Sequence, residues 1–227
     1  RKAYGDMLRI APQGAIAKPD GSFRAIHDAA HSPAVNPNMR VRGQVRYPRG
    51  GEARTVLGRC AGQPGVTWGL SADVSKAHRR FKHLESEWGL LACKLEDDDE
   101  VWLNTVGTFG VGCASYLWSR LFAIPAGFAL ELAGLCPLFQ LVCADDTNWI
   151  GKGREGIRNI VMMLFVLCVF GTPLTWPKLQ GGFSYPWVGM ELDLTGHRLG
   201  ISLSRSVWLS DWIKGMLDKQ GVLVRDI

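Results

Sequence analysis

Leu141-Val142-Cys143-Ala144-Asp145-Asp146-Thr147-Asn148-Trp149-Ile150 sets two adjacent carboxylates inside an apolar stretch. The β-forming residues Val142, Trp149 and Ile150 flank the acids, so the stretch reads as strand, tight turn, strand. Two carboxylates at the tip of a half-buried hairpin repel each other and resist desolvation unless a cation compensates them. They are candidate oxygen ligands for a divalent metal. An Asp-Asp dipeptide alone usually marks a solvated turn, so its weight rests on the sequence around it.

Upstream, Asp73 stands in Gly69-Leu70-Ser71-Ala72-Asp73-Val74-Ser75-Lys76-Ala77-His78-Arg79-Arg80-Phe81. An isolated Asp after a short apolar stretch is by default a helix N-cap. A remote third carboxylate is also what a two-metal phosphoryl-transfer site requires. Two Mg²⁺ ions roughly 4 Å apart clamp the attacking and leaving oxygens of an in-line displacement, and carboxylates from separate strands bridge them.

These acids, in this order, resemble the palm of a reverse transcriptase. Asp73-Val74 is similar to that family's first catalytic motif, and Cys143-Ala144-Asp145-Asp146 to its Tyr-x-Asp-Asp box, with Cys143 in the aromatic position. Between them, Phe109-Gly110-Val111-Gly112-Cys113-Ala114-Ser115-Tyr116-Leu117-Trp118-Ser119-Arg120-Leu121 resembles the nucleotide-pocket motif. Lys178 falls where the family carries a lysine near the incoming triphosphate. Tyr185-Pro186-Trp187-Val188-Gly189-Met190-Glu191-Leu192 resembles the hairpin that grips the primer end. Ala17-Lys18-Pro19-Asp20-Gly21-Ser22-Phe23-Arg24-Ala25-Ile26-His27-Asp28 resembles the fingers hairpin, whose basic residues hold triphosphate. The resemblance covers roughly residues 10 to 195, and its strength lies in the order of six motifs.

The resemblance implies an α+β fold: a polymerase palm, its antiparallel sheet backed by helices, with a fingers subdomain and a thumb that is missing or only begun. Fingers would occupy about 1–64 and 83–108, palm about 65–82 and 109–195, and 196–227 the possible start of a thumb or connection. Asp73 and Asp145 would be the metal ligands, with Asp146 supporting and the Val74 carbonyl adding an oxygen. The cofactor would be Mg²⁺, two ions, or Mn²⁺. Lys18, Arg24 and Lys178 would offset triphosphate charge, and Phe109 and Gly110 would border base and sugar. Trp187 and Gly189 would meet the primer. The implied partners are an RNA or DNA template with primer, dNTPs, and the remaining domains of a larger polyprotein. Two departures stand out. Five residues after Asp73, where most of the family carry Tyr or Phe to exclude ribonucleotides, this chain has His78, followed by Arg79.

The 227 residues, 47% of them hydrophobic, suffice for one large domain or two small ones. A net charge of +5 and a pI near 9.0 suit a polyanionic partner. Arginines 40, 42, 46, 49, 54 and 59 face a single acid, Glu52, in a stretch broken by Gly43, Pro48, Gly50 and Gly51. That predicts a loop or hairpin rather than a helix, solvated or holding template phosphates through Arg42, Arg46 and Arg49. Six cysteines without C-x-x-C spacing argue for reduced thiols in an intracellular setting, cytoplasmic or nuclear, and against zinc or a disulfide framework. The start at Arg1 without methionine reads as excision from a longer reading frame.

Leu90–Leu95 and Val101–Val106 are short β-prone runs around five consecutive acids, 96–100, which read as a solvated hairpin loop. Residues 114–135 predict a helix kinked or interrupted at Pro125. Residues 156–170 predict a second helix whose unbroken apolar run, Ile160–Phe170, is most simply buried against a sheet. That run is well short of the ~20 residues that span a bilayer, so no membrane partner is expected. Ser206–Leu217 reads as amphipathic. Rival readings are a polymerase-like domain that only binds nucleic acid, a membrane-associated protein built on the two apolar stretches, and an RNA-dependent RNA polymerase, whose usual Gly-Asp-Asp box is absent.

Overall fold

The computed structural model describes residues 4–18, 21–31, 34–95, 100–134 and 138–218. In chain order its strands are β1 (Ile10–Ala11), β2 (Gln13–Ala17), β3 (Phe23–His27), β4 (Thr67–Asp73), β5 (Ala92–Cys93), β6 (Trp102–Leu103), β7 (Leu138–Cys143), β8 (Asp146–Lys152), β9 (Gln180–Gly182), β10 (Ser184–Trp187), β11 (Met190–Asp193) and β12 (Arg198–Ile201). Its α-helices are α1 (Val35–Asn38), α2 (Gly50–Ala61), α3 (Ala114–Ala133), α4 (Gly153–Val169) and α5 (Leu203–Asp218). This is a mixed α+β architecture with mainly antiparallel sheets, as expected. The described residues divide into two compact units, one from 1–46 and 75–128, the other from 47–74 and 129–227.

In the second unit an antiparallel sheet runs in the order β7-β8-β4-β9. Strand β4 has a partner on each edge, and almost every residue of Thr67–Asp73 is buried. Its small and apolar residues suit a strand covered on both faces. Behind β8 and β4 lies α4. Gly156, Asn159, Ile160, Met163, Val166 and Leu167 of α4 are buried, whereas Phe165 and Val169 are 61% and 68% exposed. The helix is thus buried against the sheet, as expected, and the sheet covers one of its sides. Among the described residues no helix is long and apolar enough to cross a membrane.

The stretch 40–59 also departs from expectation, because its second half is helix α2. Ala53, Val56, Leu57 and Cys60 repeat at helical spacing and enter the core with Leu141, Ile150, Tyr185, Trp187, Leu192 and Leu194. Gly50 and Gly51 sit in the first turn, where they interrupt no established helical ladder. The Arg49 amide donates to Glu52 Oε2 at 2.9 Å, closing the helix start. Strands β10, β11 and β12 form an antiparallel meander over the same core. The predicted Ser206–Leu217 helix lies within α5, where Leu203, Trp208 and Leu217 are exposed.

The first unit holds the β2–β3 hairpin, and β5 paired with both β1 and β6. Its small core joins Ala29, Leu91 and Val111, with Val35, Met39 and Cys113 against them. The β-prone runs at 90–95 and 101–106 form regular ladder only over β5 and β6. Most of the acidic loop between them, 96–99, lies outside the described residues, as do Pro19, Asp20, Leu135 and Cys136. Helix α3 continues past Pro125 without interruption.

Candidate active site

The acidic cluster is built by strand register. β7 and β8 are joined by the two-residue turn Ala144-Asp145, with Cys143 opposite Asp146. β4 pairs with β8 from Thr67 opposite Lys152 to Asp73 opposite Asp146. Directly opposed residues share a face, so Asp73 and Asp146 are cross-strand neighbours of like charge. The Val74 amide donates to the Asp145 carbonyl at 2.9 Å, tying the turn to the end of β4. Asp73 is thus a strand end and not a helix N-cap.

A fourth charge arrives from the chain beyond α4. Val74 bridges to Leu174, and the Thr175 amide donates to the Asp73 carbonyl at 2.8 Å. The short turn Trp176–Lys178 then carries Lys178 Nζ to 3.0 Å from Asp73 Oδ1. Asp73, Val74, Asp145, Asp146 and Lys178 come together at one end of the sheet.

Burial, then the charges of Asp145 and Asp73, push the Asp146 carboxyl up to about 6, against the opposing pull of Lys178. The hydrogen bond to Asp73 raises the Lys178 ammonium, and the charges of all three acids add to it. Burial raises the Cys143 thiol, with Asp146 and Asp145 reinforcing the shift. One lysine therefore leaves the three acids undercompensated. Among the described residues no three His, Cys, Asp or Glu side chains form a preformed metal cage.

The first unit brings together a different set. Arg24 on β3 places its guanidinium carbon 4.7 Å from the centroid of the Phe109 ring. The half-buried His78 ring meets Phe109 edge-on at 4.8 Å. Gly110 adjoins them with φ +95°, and a Cβ there would lie 1.9 Å from the His27 carbonyl oxygen. Its lack of a side chain is required twice over, by backbone conformation and by space. Lys18 closes the β2–β3 hairpin through its amide, which donates to the Ser22 carbonyl at 2.8 Å.

Arg42 lines a cavity of about 620 Å³ in the first unit, together with Arg9 and Arg40. Arg46 is exposed in the same unit, while Arg49 stands at the start of α2 in the other. Trp187 is turned into the core and only 2% exposed, so the β10–β11 turn offers Val188 and Gly189 at its surface instead. Gly189 has φ +74° and lies under the Arg205 guanidinium, 2.1 Å from where its Cβ would sit.

Several supporting residues were not anticipated. Buried Asn148 accepts a 2.7 Å hydrogen bond from the Tyr185 hydroxyl, whose ionisation burial strongly disfavours. Trp149 Nε1 donates at 2.8 Å to Gln140, its cross-strand neighbour. Asn148 and Gln140 are polar residues interrupting apolar strands, the one signal that sequence offered for them.

No protein-family model matches the sequence, and no curated protein matches it. Solved structures do resemble the fold. A foamy viral protease-reverse transcriptase in complex with RNA/DNA hybrid superposes with a TM-score of 0.64 at 16% identity, over 91% of this chain and 25% of that one. The foamy viral protease-reverse transcriptase dRH with double-stranded DNA gives 0.63 at 16% identity, over 86% and 31%. Apo telomerase from Candida tropicalis, truncated from its C-terminal domain, gives 0.59 at 9% identity, over 86% and 55%. The chain therefore has a reverse-transcriptase-like fold, and it spans between a quarter and about half of these neighbours' lengths.

Proposed function

We propose that this chain is the fingers and palm of an RNA-directed DNA polymerase that performs template-directed DNA synthesis by two-metal-ion nucleotidyl transfer. The carrying observation is the convergence of Asp73, Asp145 and Asp146 at one end of the β7-β8-β4-β9 sheet, within a reverse-transcriptase-like fold. The donor set fits Mg²⁺ or Mn²⁺: hard carboxylate oxygens, with an excess of negative charge that raises Asp146. Asp73 and Asp145 would hold the ions with the Val74 carbonyl, and Asp146 would support them. Bound metal would supply charge stabilisation for the in-line displacement. Lys178, now paired with Asp73, would exchange it for a triphosphate oxygen. Arg24 and Lys18 would take further phosphate charge, with Phe109, Gly110 and His78 bordering base and sugar. Arg42, Arg46 and Arg49 would meet template phosphates, and the Val188-Gly189 turn the primer.

In this reading the chain works inside a larger retroelement polypeptide, in the cytoplasm or nucleus. Its five described cysteines, all free thiols, agree with a reducing setting. The foamy viral neighbours bear on the partner, since they were solved with double-stranded DNA or RNA/DNA hybrid. One observation favours a second reading, a nucleic-acid-binding domain without chemistry: Lys178 already neutralises Asp73 as an ion pair.

Primer extension by the full reading frame, with dNTPs and Mg²⁺ or Mn²⁺, separates the two. Wild type should extend and Asp145→Asn should not, while both bind primer-template alike. Binding without extension by wild type would establish the second reading. His78→Ala should lower the dNTP-over-rNTP ratio of kcat/KM, because in this reading the imidazole would fill space that a 2′-hydroxyl needs. An unchanged ratio would remove His78 from that role.

A further inference from the structure

The segment Phe109–Gly112 is intrinsically loose, with glycine at 110 and 112, yet its carbonyls at 109 and 110 and its amide at 112 are held from outside. Asn36 Nδ2 donates to the Gly110 carbonyl at 2.7 Å, and Asn36 Oδ1 accepts from the Gly112 amide at 2.8 Å. One amide side chain thus grips the segment on both sides of Val111. The His27 amide donates to the Phe109 carbonyl at 2.9 Å, and its own carbonyl fills the space above Gly110.

Both supports are anchored. Val35 and Met39, flanking Asn36, pack on the small core that contains Val111 and touches Cys113. The Asn36 amide also donates to the Ala29 carbonyl at 2.9 Å. His27 is fully buried, with Nδ1 at 2.9 Å from Gln13 Nε2. With Gln13 Nε2 as the donor, Nδ1 is the acceptor. Burial lowers the basicity of the ring, against the pull of Asp28.

We infer that Asn36 is a positioning residue that fixes Phe109 and Gly110 for nucleotide binding, with buried His27 as the rigid stop behind them. The inference rests on the proposed polymerase reading. Asparagine is specific to this task, since the grip needs one donor and one acceptor on a short planar group. Aspartate keeps the acceptor but sets a carboxylate oxygen against the Gly110 carbonyl. Alanine removes both bonds.

The test uses the full reading frame, wild type and with Asn36→Ala or Asn36→Asp, and two readouts. Amide hydrogen exchange at Gly112 should quicken about 10-fold or more in Asn36→Ala, the scale of one lost hydrogen bond. In steady-state primer extension, KM for dNTP should rise about 10-fold with kcat changed less than about 3-fold, since the loss is of substrate positioning. Primer-template affinity should stay constant. If Asn36→Ala does not fold, Asn36→Asp carries the test, with a KM rise and unchanged Gly112 protection. Unaltered Gly112 exchange in Asn36→Ala overturns the grip. Faster exchange with KM unmoved overturns the positioning role. A wild type that adds no nucleotide overturns the polymerase reading instead, and the exchange measurement still judges the grip.

Discussion

The turn that joins β7 to β8 and the turn that joins β10 to β11 are both two residues long, Ala144-Asp145 in one and Val188-Gly189 in the other. Both bend through left-handed backbone: φ is +56° at Ala144, +48° at Val188 and +74° at Gly189. Two non-glycine residues therefore sit where a Cβ is unfavourable by roughly 1 to 2 kcal/mol. The second turn caps a hydrophobic hairpin, with Tyr185, Trp187 and Leu192 buried in the core and Arg205 lying over Gly189. The first turn leads into Asp146, which stands opposite Asp73 and whose carboxyl is raised by burial and by the charges of Asp145 and Asp73. One turn completes packing. The other holds charge together against its own repulsion, which burial and strand register behind it make possible.

The largest expected difference is in activity. Asp145→Asn in the first turn should reduce nucleotide addition at least about 100-fold, as expected for the loss of several kcal/mol of metal-based stabilisation. Gly189→Ala in the second alters a proposed primer contact but no proposed metal ligand, so it should cost nucleotide addition less than about 10-fold, and single-turnover extension compares the two directly. If the two variants lose activity alike, the division of roles is wrong.

Stability should rank the other way. Gly189→Ala adds a Cβ at φ +74° and displaces the Arg205 guanidinium, so urea denaturation should show a loss of about 2 kcal/mol. Asp146→Asn should instead gain about 1 to 2 kcal/mol at pH 7 in metal-free protein, after allowance for solvent screening of a half-buried group. The folded carboxyl titrates near 6, above its ordinary 3.8, so its protonated form favours folding. That contribution is complete below about pH 4 and is lost as pH rises through 6. The variant's advantage should therefore vanish at pH 4 and be full by pH 7. A pH-independent gain would mean that repulsion at Asp146 is not its source.

The smallest effect should come from relieving the turns themselves. Ala144→Gly and Val188→Gly each remove a strained Cβ but loosen the unfolded chain. A net gain below about 1 kcal/mol is expected from thermal denaturation. A loss at Val188 alone would show that its side chain packs usefully.

The strand-turn-strand around Asp145 was readable because β-formers flank two acids over a short span. The order Asp73, Phe109-Gly110, Asp145-Asp146, Lys178 pointed to the fold through resemblance. Helix α2 was missed because glycines and arginines dominated the reading of 40–59, although Ala53, Val56, Leu57 and Cys60 already carried a helical period. Exposure on α4 could not be read from Ile160–Phe170, since an apolar run does not say how many of its sides a neighbour covers. Trp187 looked like a surface contact by motif, and the core claimed it.

Sequence by itself determined the chemical types on offer: carboxylates amid β-formers, a glycine-rich segment at 107–112, and a basic stretch from Arg40. Those depend on local composition and spacing, which a chain carries without being folded. Tertiary structure alone decided that Asp73 stands opposite Asp146, that Lys178 reaches Asp73 across a separation of 105 residues, and that Asn36 grips Gly110 and Gly112. Such pairings are set by strand register and by which faces the core buries, and neither is written in the neighbourhood of any one residue.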